Sequence, residues 1–471
     1  MKRIYFLLFI FLNVSYSHVE YSDYSNAIAQ VRLGGDLSYS EKIFLKNRSE
    51  KVKVKLEEFG AQINYVPRVA ICASGGGYRA MISFLGFLIG LEKAGILDCA
   101  TYISALSGSS WTLATWVCQN RSLLDLKNHL SLQTQTSITQ LDLKQYKNII
   151  SNLLSKTIAM QSVGTTDIYG QALALKLLNG FEPNSKRLSH NRTKILHGDM
   201  FLPIYTAIIA NINPYKWIEF TPFEVGSSFL NSYIPTWAFN RKFDKGISTT
   251  FEPEPQLDYL MGIFGSAFSV NIKDILNHAG SHLQNSSPNI YKFLKNYESH
   301  WISDIRIAGT KINNFAFGIP ESPYNTNDSL TLADAGLDFN LPLPPLLERP
   351  VDIIIIFDAS DNLNNRNELL YAQTYALQNN YNWPKINPKD LDKKSVSIFK
   401  GGNDCPTIIY MPLVNESGEY KNGYNWSNTD YAKTFNFKYA TSEFEELLGL
   451  AEFNAIKAAP KILKTILEMA N

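Results

Sequence analysis

The sequence predicts an α/β fold, and three successive segments support this prediction. The apolar run 69–72 leads into three glycines at residues 75–77. Residues 78–95 then carry apolar side chains at helical spacing and end in a glycine. A second apolar run, residues 100–106, leads into Ser107. Strand, helix and strand in this order form a βαβ unit with parallel strands, so both turns are expected at one edge of the sheet.

The glycine turn favours an anion-binding role. Three successive glycines at residues 75–77 leave backbone N–H groups unhindered, which suits an oxyanion. The spacing of Gly75, Gly77 and Ala80 also fits the dinucleotide-binding fingerprint. That fingerprint needs an acidic residue at the end of the second strand, where this chain has Ala-Leu-Ser at residues 105–107. The sequence therefore favours an oxyanion site over a nucleotide site.

The second turn presents a candidate nucleophile. Ser107 occupies the position where a sharp strand-to-helix turn holds a hydroxyl in the open, as in the G-x-S-x-G elbow. Ala105 and Ser109 replace the flanking glycines of that motif, and both are small enough for a crowded turn. A lone Ser-Gly-Ser is more typical of a loop or a helix cap. The glycine turn expected beside Ser107 is what favours the nucleophile.

A serine nucleophile needs a base, and the best candidate is Asp334 rather than a histidine. None of the seven histidines lies in a recognisable strand-end motif: His18, His129, His190, His197, His278, His282 and His300. Asp334 ends an apolar run and precedes a turn of small residues. A carboxylate with a reference pKa of ~3.9 is a poor base unless the site desolvates it or couples it closely to the hydroxyl. A turn cap explains the same spacing equally well.

These motifs resemble a known family along most of the chain. Residues 74–81 (Ser-Gly-Gly-Gly-Tyr-Arg-Ala-Met), 95–102 and 106–111 resemble the catalytic domain of the cytosolic phospholipase A2 and fungal phospholipase B family. Further stretches match that family in the same order: residues 217–226, 261–269, 334–342, 404–409 and 434–439. The resemblance covers roughly residues 65–455, so it is not confined to one motif.

The resemblance implies a patatin-like, three-layer α/β core with a mixed central sheet and a Ser–Asp dyad without histidine. Position by position, it makes Ser107 the nucleophile, Asp334 its activating base, and the Gly76 and Gly77 amides the oxyanion hole. Arg79 matches the arginine associated with the phospholipid phosphate, although a surface ion pair is the alternative for that residue. The implied reaction passes through an acyl-serine on a glycerophospholipid or lysophospholipid, with no metal and no cofactor.

The first residues predict export. Residues 1–3 carry positive charge, residues 4–14 are apolar, and residues 15–17 are small or polar, as in a secretory signal peptide cleaved after Ser17. An uncleaved anchor is the alternative, although the apolar run is too short to span a bilayer comfortably. Residues 18–471 are then expected to form a single exported catalytic domain, secreted or in the periplasm or cell envelope. It would meet membrane or micelle lipid peripherally.

The expected activity is independent of calcium. Members of the cytosolic branch of the family carry a calcium-dependent lipid-binding domain ahead of the catalytic part. Here only residues 18–64 lie between the predicted signal and the resemblance, and no calcium-binding module fits there. A net charge of +1 gives no basis for nucleic-acid binding.

The stretch between Ser107 and Asp334 is longer than an α/β core requires, and we predict a cap inserted between about residues 120 and 325. Its apolar and aromatic side chains would face lipid or, alternatively, pack as ordinary core: Phe229, Tyr233, Ile234, Trp237 and Phe239. A second functional hypothesis is an inactive lipid-binding or secreted interaction protein on the same fold. The five intact site residues argue against it.

Overall fold

The computed structural model describes most of the chain. It covers residues 24–471 except 25, 120, 139, 159–163, 181–185, 268–308, 362–366, 387–390, 392–393 and 403. The predicted signal peptide, residues 1–17, lies outside the described residues.

A mixed β-sheet forms the centre of the fold. The described strands are β1 (Arg32–Leu33), β2 (Val69–Ala73), β3 (Ala100–Ala105), β4 (Leu202–Ile209), β5 (Lys216–Phe220), β6 (Glu224–Ser227), β7 (Ser232–Pro235), β8 (Phe243–Asp244), β9 (Ile247–Ser248), β10 (Gly309–Asn313), β11 (Ser329–Ala333), β12 (Ile353–Asp358), β13 (Ser397–Phe399) and β14 (Thr407–Pro412). Twelve of them form one sheet in the order β1-β7-β6-β5-β4-β3-β2-β12-β14-β13, with β11 joining β4 and β10 joining β11. The neighbouring strands β4, β3, β2, β12 and β14 are parallel to one another. On either side of them, β5 is antiparallel to β4 and β13 is antiparallel to β14.

Helices cover both faces of this sheet. The described helices are α1 (Tyr39–Glu58), α2 (Gly77–Lys93), α3 (Ser107–Gln119), α4 (Leu123–Gln133), α5 (Leu143–Ile158), α6 (Thr165–Leu177), α7 (Arg192–Leu196), α8 (Leu257–Phe264), α9 (Pro344–Leu347), α10 (Asn367–Gln378) and α11 (Thr441–Ala470). In the part of the chain that the structure describes, no helix is both long enough and apolar enough to cross a bilayer.

Alternate residues of the central strands pack into two separate cores, which confirms the predicted three-layer arrangement. On one face, Ile71 of β2 belongs to a cluster that includes residues of α2, α3 and α11. On the other face, Cys72 belongs to a cluster with Phe44 of α1 and Leu369 of α10. Strands buried on both faces in this way read as continuous apolar runs, as residues 69–72 do.

The predicted βαβ unit is present. Strands β2 and β3 are parallel neighbours, with Ala73 paired to Ala105. The helix predicted over residues 78–95 runs from Gly77 to Lys93. The glycine turn and the Ser107 turn therefore follow adjacent strands at the same edge of the sheet.

Strand β4 brings Asp334 to the same place. Tyr205 of β4 pairs with both β3 and β5, whereas Ile208 pairs with both β11 and β5. Because β5 occupies one edge of β4 throughout, β3 and β11 must share the other edge. They run in opposite directions, so the carboxyl end of β3 at Ala105 and that of β11 at Ala333 approach each other.

The predicted cap is wrong for part of its range. Residues 202–235 form strands β4 to β7 of the central sheet, and β4 is buried along its whole length. The apolar side chains expected to face lipid are instead largely in the core: Tyr233, Ile234, Trp237 and Phe239 are buried, and Phe229 is partly buried. Helices α4, α5, α6 and α8 remain outside the sheet, and the extent of any cap stays a prediction.

Candidate active site

Ser107 lies at the sharp turn that the sequence predicted. It follows β3, begins α3 and has a φ of +50°, a conformation that residues with a side chain rarely adopt. The Ser109 hydroxyl donates to the carbonyl oxygen of Ser74 over 2.6 Å, and the Ser110 hydroxyl donates to that of Ser107 over 2.5 Å. These bonds tie the strained turn to its neighbours. Strain at a single residue is typical of functional positions.

Asp334 accepts a hydrogen bond from Ser107. The distance between Ser107 Oγ and Asp334 Oδ2 is 2.9 Å. The other carboxylate oxygen, Oδ1, accepts from the Gly336 amide at 2.9 Å, and the Asp334 amide donates to Ser266 Oγ at 2.8 Å. Asp334 therefore caps its turn and contacts the candidate nucleophile Ser107 at the same time. The Oδ1 contact is the turn cap that the sequence offered as one interpretation. The Oδ2 contact fits the other interpretation, a base for Ser107, which stays a prediction.

The environment of Asp334 suits a base. Burial raises the pKa of Asp334 to about 6, and hydrogen bonds from the Gly336 amide, the Ser107 hydroxyl and the Ala267 amide oppose that rise. Desolvation and close coupling to the hydroxyl were the two conditions under which a carboxylate could activate a serine, and both are met here. The carboxylate is ionised at neutral pH yet basic enough to accept a proton.

The glycine turn packs directly against the Ser107 turn. Gly76 has a φ of +138° and Gly77 one of +63°, which favour glycine at both positions. A Cβ at Gly108 would overlap the carbonyl oxygen of Gly77, and one at Gly75 would lie 2.9 Å from Ser107 Cβ. Among the described residues, the Gly76 and Gly77 amides have no hydrogen-bond partner. Two free N–H groups at the start of α2 thus lie beside the Ser107 turn.

Arg79 is buried and held by protein groups. Its side chain is 1% exposed. Nε donates to the Ala359 carbonyl at 2.8 Å, and Nη1 donates to the Ala432 carbonyl at 2.7 Å, to Asp361 Oδ1 at 2.9 Å and to Thr434 Oγ1 at 3.1 Å. The ion pair expected as an alternative for Arg79 exists, but the guanidinium lies in the interior rather than on the surface.

The remaining nitrogen of Arg79 faces the glycine turn. A Cβ built at Gly76 would lie 2.7 Å from Nη2, so the guanidinium borders the glycine turn. The Asp361 side chain is 60% exposed, in contrast to its buried partner. The ion pair therefore joins a buried guanidinium to a carboxylate that faces solvent.

Two positioning residues were not identified from the sequence. Asn340 Nδ2 donates to the Gly75 carbonyl at 3.1 Å and to Ser360 Oγ at 2.6 Å. The backbone carbonyl of Asn340 accepts from the Gly75 amide. Ser266 holds the Asp334 backbone. Both lie within stretches that resemble the family, at residues 334–342 and 261–269, and that position was the only signal for them.

No histidine among the described residues contacts the Ser107–Asp334 pair. His129, in α4, lies near the carbonyl oxygen of Leu177 instead, and His18, His278, His282 and His300 are outside the described residues. In the described part of the chain, no group of three or more His, Cys, Asp or Glu side chains could hold a metal ion.

Comparisons with known proteins point to one family. Residues 69–416 match the model of the lysophospholipase catalytic domain. Cytosolic phospholipase A2 zeta from Homo sapiens is 27% identical over 541 aligned residues, covering 95% of this chain and 62% of that relative. The solved structure of human GIVD cytosolic phospholipase A2 superposes with a TM-score of 0.79 at 23% identity, over 93% of this chain and 68% of the other.

A second structure of the same human protein, in complex with methyl γ-linolenyl fluorophosphonate, gives a TM-score of 0.74 at 25% identity over 94% of this chain and 66% of that one. These similarities confirm the α/β fold of the patatin-like class. The chain spans somewhat less than two thirds of the length of the zeta relative.

Proposed function

We propose, since the chain belongs to the lysophospholipase catalytic domain family, that it is a serine phospholipase or lysophospholipase acting through Ser107 and Asp334. The observation that carries the proposal is the 2.9 Å hydrogen bond from Ser107 to a buried carboxylate. The unpaired amides of Gly76 and Gly77 beside it support an acyl-transfer reaction, because such a reaction develops negative charge on an ester oxygen.

Acylation is the first half of the proposed reaction. Asp334 accepts the Ser107 proton while Oγ attacks the ester carbonyl carbon, and the carbonyl oxygen takes up negative charge. The Gly76 and Gly77 amides donate to that oxygen. The tetrahedral intermediate then collapses, the alcohol oxygen of the lysophospholipid or glycerophosphodiester leaves with the proton from Asp334, and the acyl group stays on Ser107.

Deacylation repeats the same chemistry with water. Asp334 accepts a proton from water, whose oxygen attacks the acyl carbonyl, and the same two amides stabilise the oxyanion. The fatty acid leaves as Ser107 regains its proton. One base therefore serves both half-reactions.

Arg79 is the residue from which we infer that the enzyme prefers phospholipids over neutral esters. A guanidinium beside a glycine turn at the start of a helix concentrates positive charge where an anionic phosphodiester would lie. The orientation of Nη2 toward Gly76 supports a phosphate position next to the reacting ester.

The proposal includes export and calcium independence. The sequence pattern of residues 1–17 supports export, and expression in a secretory host should yield a mature protein that begins at His18, as N-terminal mass spectrometry would establish.

The reaction outlined above uses only side chains and amides of this chain. Hydrolysis should therefore persist when calcium is chelated, and loss of activity with chelator would contradict the proposal.

Acyl release from phosphatidylcholine labelled separately at each acyl chain tests the proposed function. Lysophosphatidylcholine serves as the parallel substrate, and Ser107→Ala as the matched control. Release by the wild type that disappears in Ser107→Ala is the expected result, and the labelled position identifies which ester is cleaved. A folded wild-type protein that releases no acyl chain from either lipid would favour the inactive lipid-binding alternative.

A further inference from the structure

Three buried tyrosines close to Ser107 carry hydroxyl groups that have no hydrogen-bond partner within the described residues. They are Tyr78 in α2, Tyr169 in α6 and Tyr439 just before α11. All three side chains are fully buried. A buried hydroxyl without a partner destabilises a fold and is uncommon in proteins. Three of them in one place call for an explanation, and we refer to them as the phenol cluster.

The three rings belong to one aromatic group. The Tyr78 ring centroid lies 5.1 Å from that of Phe437, 6.1 Å from Trp111 and 6.5 Å from Tyr439. Tyr169 joins the group through Trp111, at 6.3 Å, and through Phe437, at 6.2 Å. Helices α2, α3 and α6 and the segment before α11 therefore converge on one set of side chains.

The phenol cluster is connected to both the candidate phosphate site and Ser107 through neighbouring residues. Tyr78 directly precedes Arg79, and Trp111 follows Ser107 by one helical turn. Burial raises the pKa of Tyr169, with the nearby Tyr78 and Asp334 adding to the rise. Burial also raises the pKa of Tyr439, and the charge of Arg79 opposes that rise. The aromatic group is thus joined to Arg79 through Tyr78 and to Ser107 through Trp111.

The chemistry of these hydroxyls matches an oxygen-rich ligand. Burial raises the pKa of Tyr78 as well, so all three phenols are neutral and each has a proton to donate. A hydrocarbon chain offers no acceptor and would leave the donors unpaired. The glyceryl part of a phospholipid carries ester and phosphodiester oxygens, which accept hydrogen bonds without donating any.

We propose that the phenol cluster donates hydrogen bonds to the glyceryl ester and phosphodiester oxygens of a phospholipid, between the ester attacked by Ser107 and the phosphate near Arg79. This inference rests on the proposed function. The unpaired hydroxyls of Tyr78, Tyr169 and Tyr439 are then substrate-binding groups, and their burial without a protein partner costs stability.

Three single substitutions test the proposal: Tyr78→Phe, Tyr169→Phe and Tyr439→Phe. Each removes one oxygen and keeps the ring. We expect kcat/KM for phosphatidylcholine in mixed micelles to fall about fivefold to tenfold for each lost hydrogen bond. Hydrolysis of p-nitrophenyl butyrate, which has no glyceryl oxygens, should stay within about twofold of wild type. The Tm should stay the same or rise, because each change removes an unpaired buried group.

Tyr102→Phe is the matched control. Its hydroxyl is also buried, but it donates to Glu41 Oε1 at 2.9 Å. The control should lower the Tm and leave kcat/KM for both substrates unchanged.

Several results would overturn the inference. Unchanged phosphatidylcholine hydrolysis in all three variants would do so. Equal losses on both substrates would also overturn it, because they would mean that the hydroxyls support the Ser107–Asp334 pair rather than bind glyceryl oxygens. A Tm lowered as in Tyr102→Phe would mean that the hydroxyls are paired within the fold. A wild type that cleaves p-nitrophenyl butyrate but no phospholipid would overturn the proposed function first, and this inference with it.

Discussion

At the scale of single residues, Ser107 and Asp334 both occupy positions that a stable fold would otherwise avoid. Ser107 has a positive φ, and Asp334 is a carboxylate in the interior. Each arrangement costs stability. Their combination in one hydrogen-bonded pair fits the proposed reaction, in which Ser107 attacks an ester and Asp334 has to be less acidic than a solvated carboxyl.

The pKa of Asp334 predicts how activity depends on pH. Because burial raises this pKa to about 6, the carboxylate is ionised above pH 6 and protonated below it. Only the ionised form accepts the Ser107 proton. We expect kcat/KM for p-nitrophenyl butyrate to fall as a single proton binds near pH 6. A fall only near pH 4, as for a solvated carboxyl, would contradict the role of the buried carboxylate.

The same carboxylate predicts a stability effect with a definite sign. Its folded-state pKa lies above the usual 3.8, so the folded protein keeps a proton that the unfolded chain releases. The resulting destabilisation develops as pH rises from about 4 to 6 and is complete above pH 6. Asp334→Asn removes this cost, which is at most about 3 kcal/mol.

We therefore expect Asp334→Asn to be inactive yet at least as resistant to urea as wild type at pH 8, with no such advantage at pH 4. Urea unfolding curves of the two proteins at both pH values give the comparison. An Asn variant that is less stable than wild type at pH 8 would mean that the ionised carboxylate stabilises the fold.

At the scale of elements, the close packing of α2 against α11 holds the glycine turn in place. A Cβ at Gly86 of α2 would overlap the carbonyl oxygen of Leu448 in α11. Alanine usually stabilises a helix relative to glycine. Here we expect Gly86→Ala to lower the free energy of unfolding by about 1–3 kcal/mol, because the two backbones must separate.

Urea denaturation of Gly86→Ala beside Gly35→Ala measures this effect. No heavy atom lies within 4 Å of a Cβ at Gly35, so the control should differ from wild type by less than about 0.5 kcal/mol. A Gly86→Ala variant as stable as the control would disprove the close contact between the helices.

The ion pair between Arg79 and Asp361 links the segment after β12 to the candidate phosphate site. Asp361→Asn keeps an oxygen for Arg79 Nη1 but removes the charge that competes with a phosphate. We expect kcat/KM for phosphatidylcholine to rise by up to about fivefold, because a half-exposed ion pair contributes at most about 1 kcal/mol. Hydrolysis of p-nitrophenyl butyrate should not change.

Asp430→Asn is a suitable control for this substitution, because Asp430 is 94% exposed and pairs with Lys433 on the surface. It should behave as wild type with both substrates. Lower phosphatidylcholine hydrolysis in Asp361→Asn alone would show that the carboxylate positions Arg79 rather than competing for it.

At the scale of the whole molecule, the site is assembled from distant parts of the chain. Ser107 and Asp334 are 227 positions apart and meet because β3 and β11 approach each other along one edge of β4. Arg79 is held by residues that follow β12 and by the segment before α11. A stable, complete fold is therefore needed before any of these groups can act together.

This assembly explains what the sequence could and could not predict. The glycine turn, Ser107 and α2 follow from local patterns, because a strand, a turn and a helix are specified by neighbouring residues. Asp334 was recognised as the end of an apolar run. The role of Asn340 depends on a contact with Gly75, and no local pattern indicates it.

The cap was predicted too broadly for a related reason. Strands β4 to β7 lie far along the chain from β2 and β3, and the apolar residues of a sheet interior resemble those of an inserted helix when periodicity alone is used. Only the pairing of β4 with β3 places residues 202–235 in the central sheet.

The most direct test of the central claim is mass spectrometry of the protein quenched in acid during hydrolysis of a lysophospholipid. We predict a single acyl group on the peptide that contains Ser107, present in the wild type and absent from both Ser107→Ala and Asp334→Asn. An acyl group on another residue, or one that forms on Ser107 at the wild-type rate without the Asp334 carboxylate, would contradict the Ser107–Asp334 account.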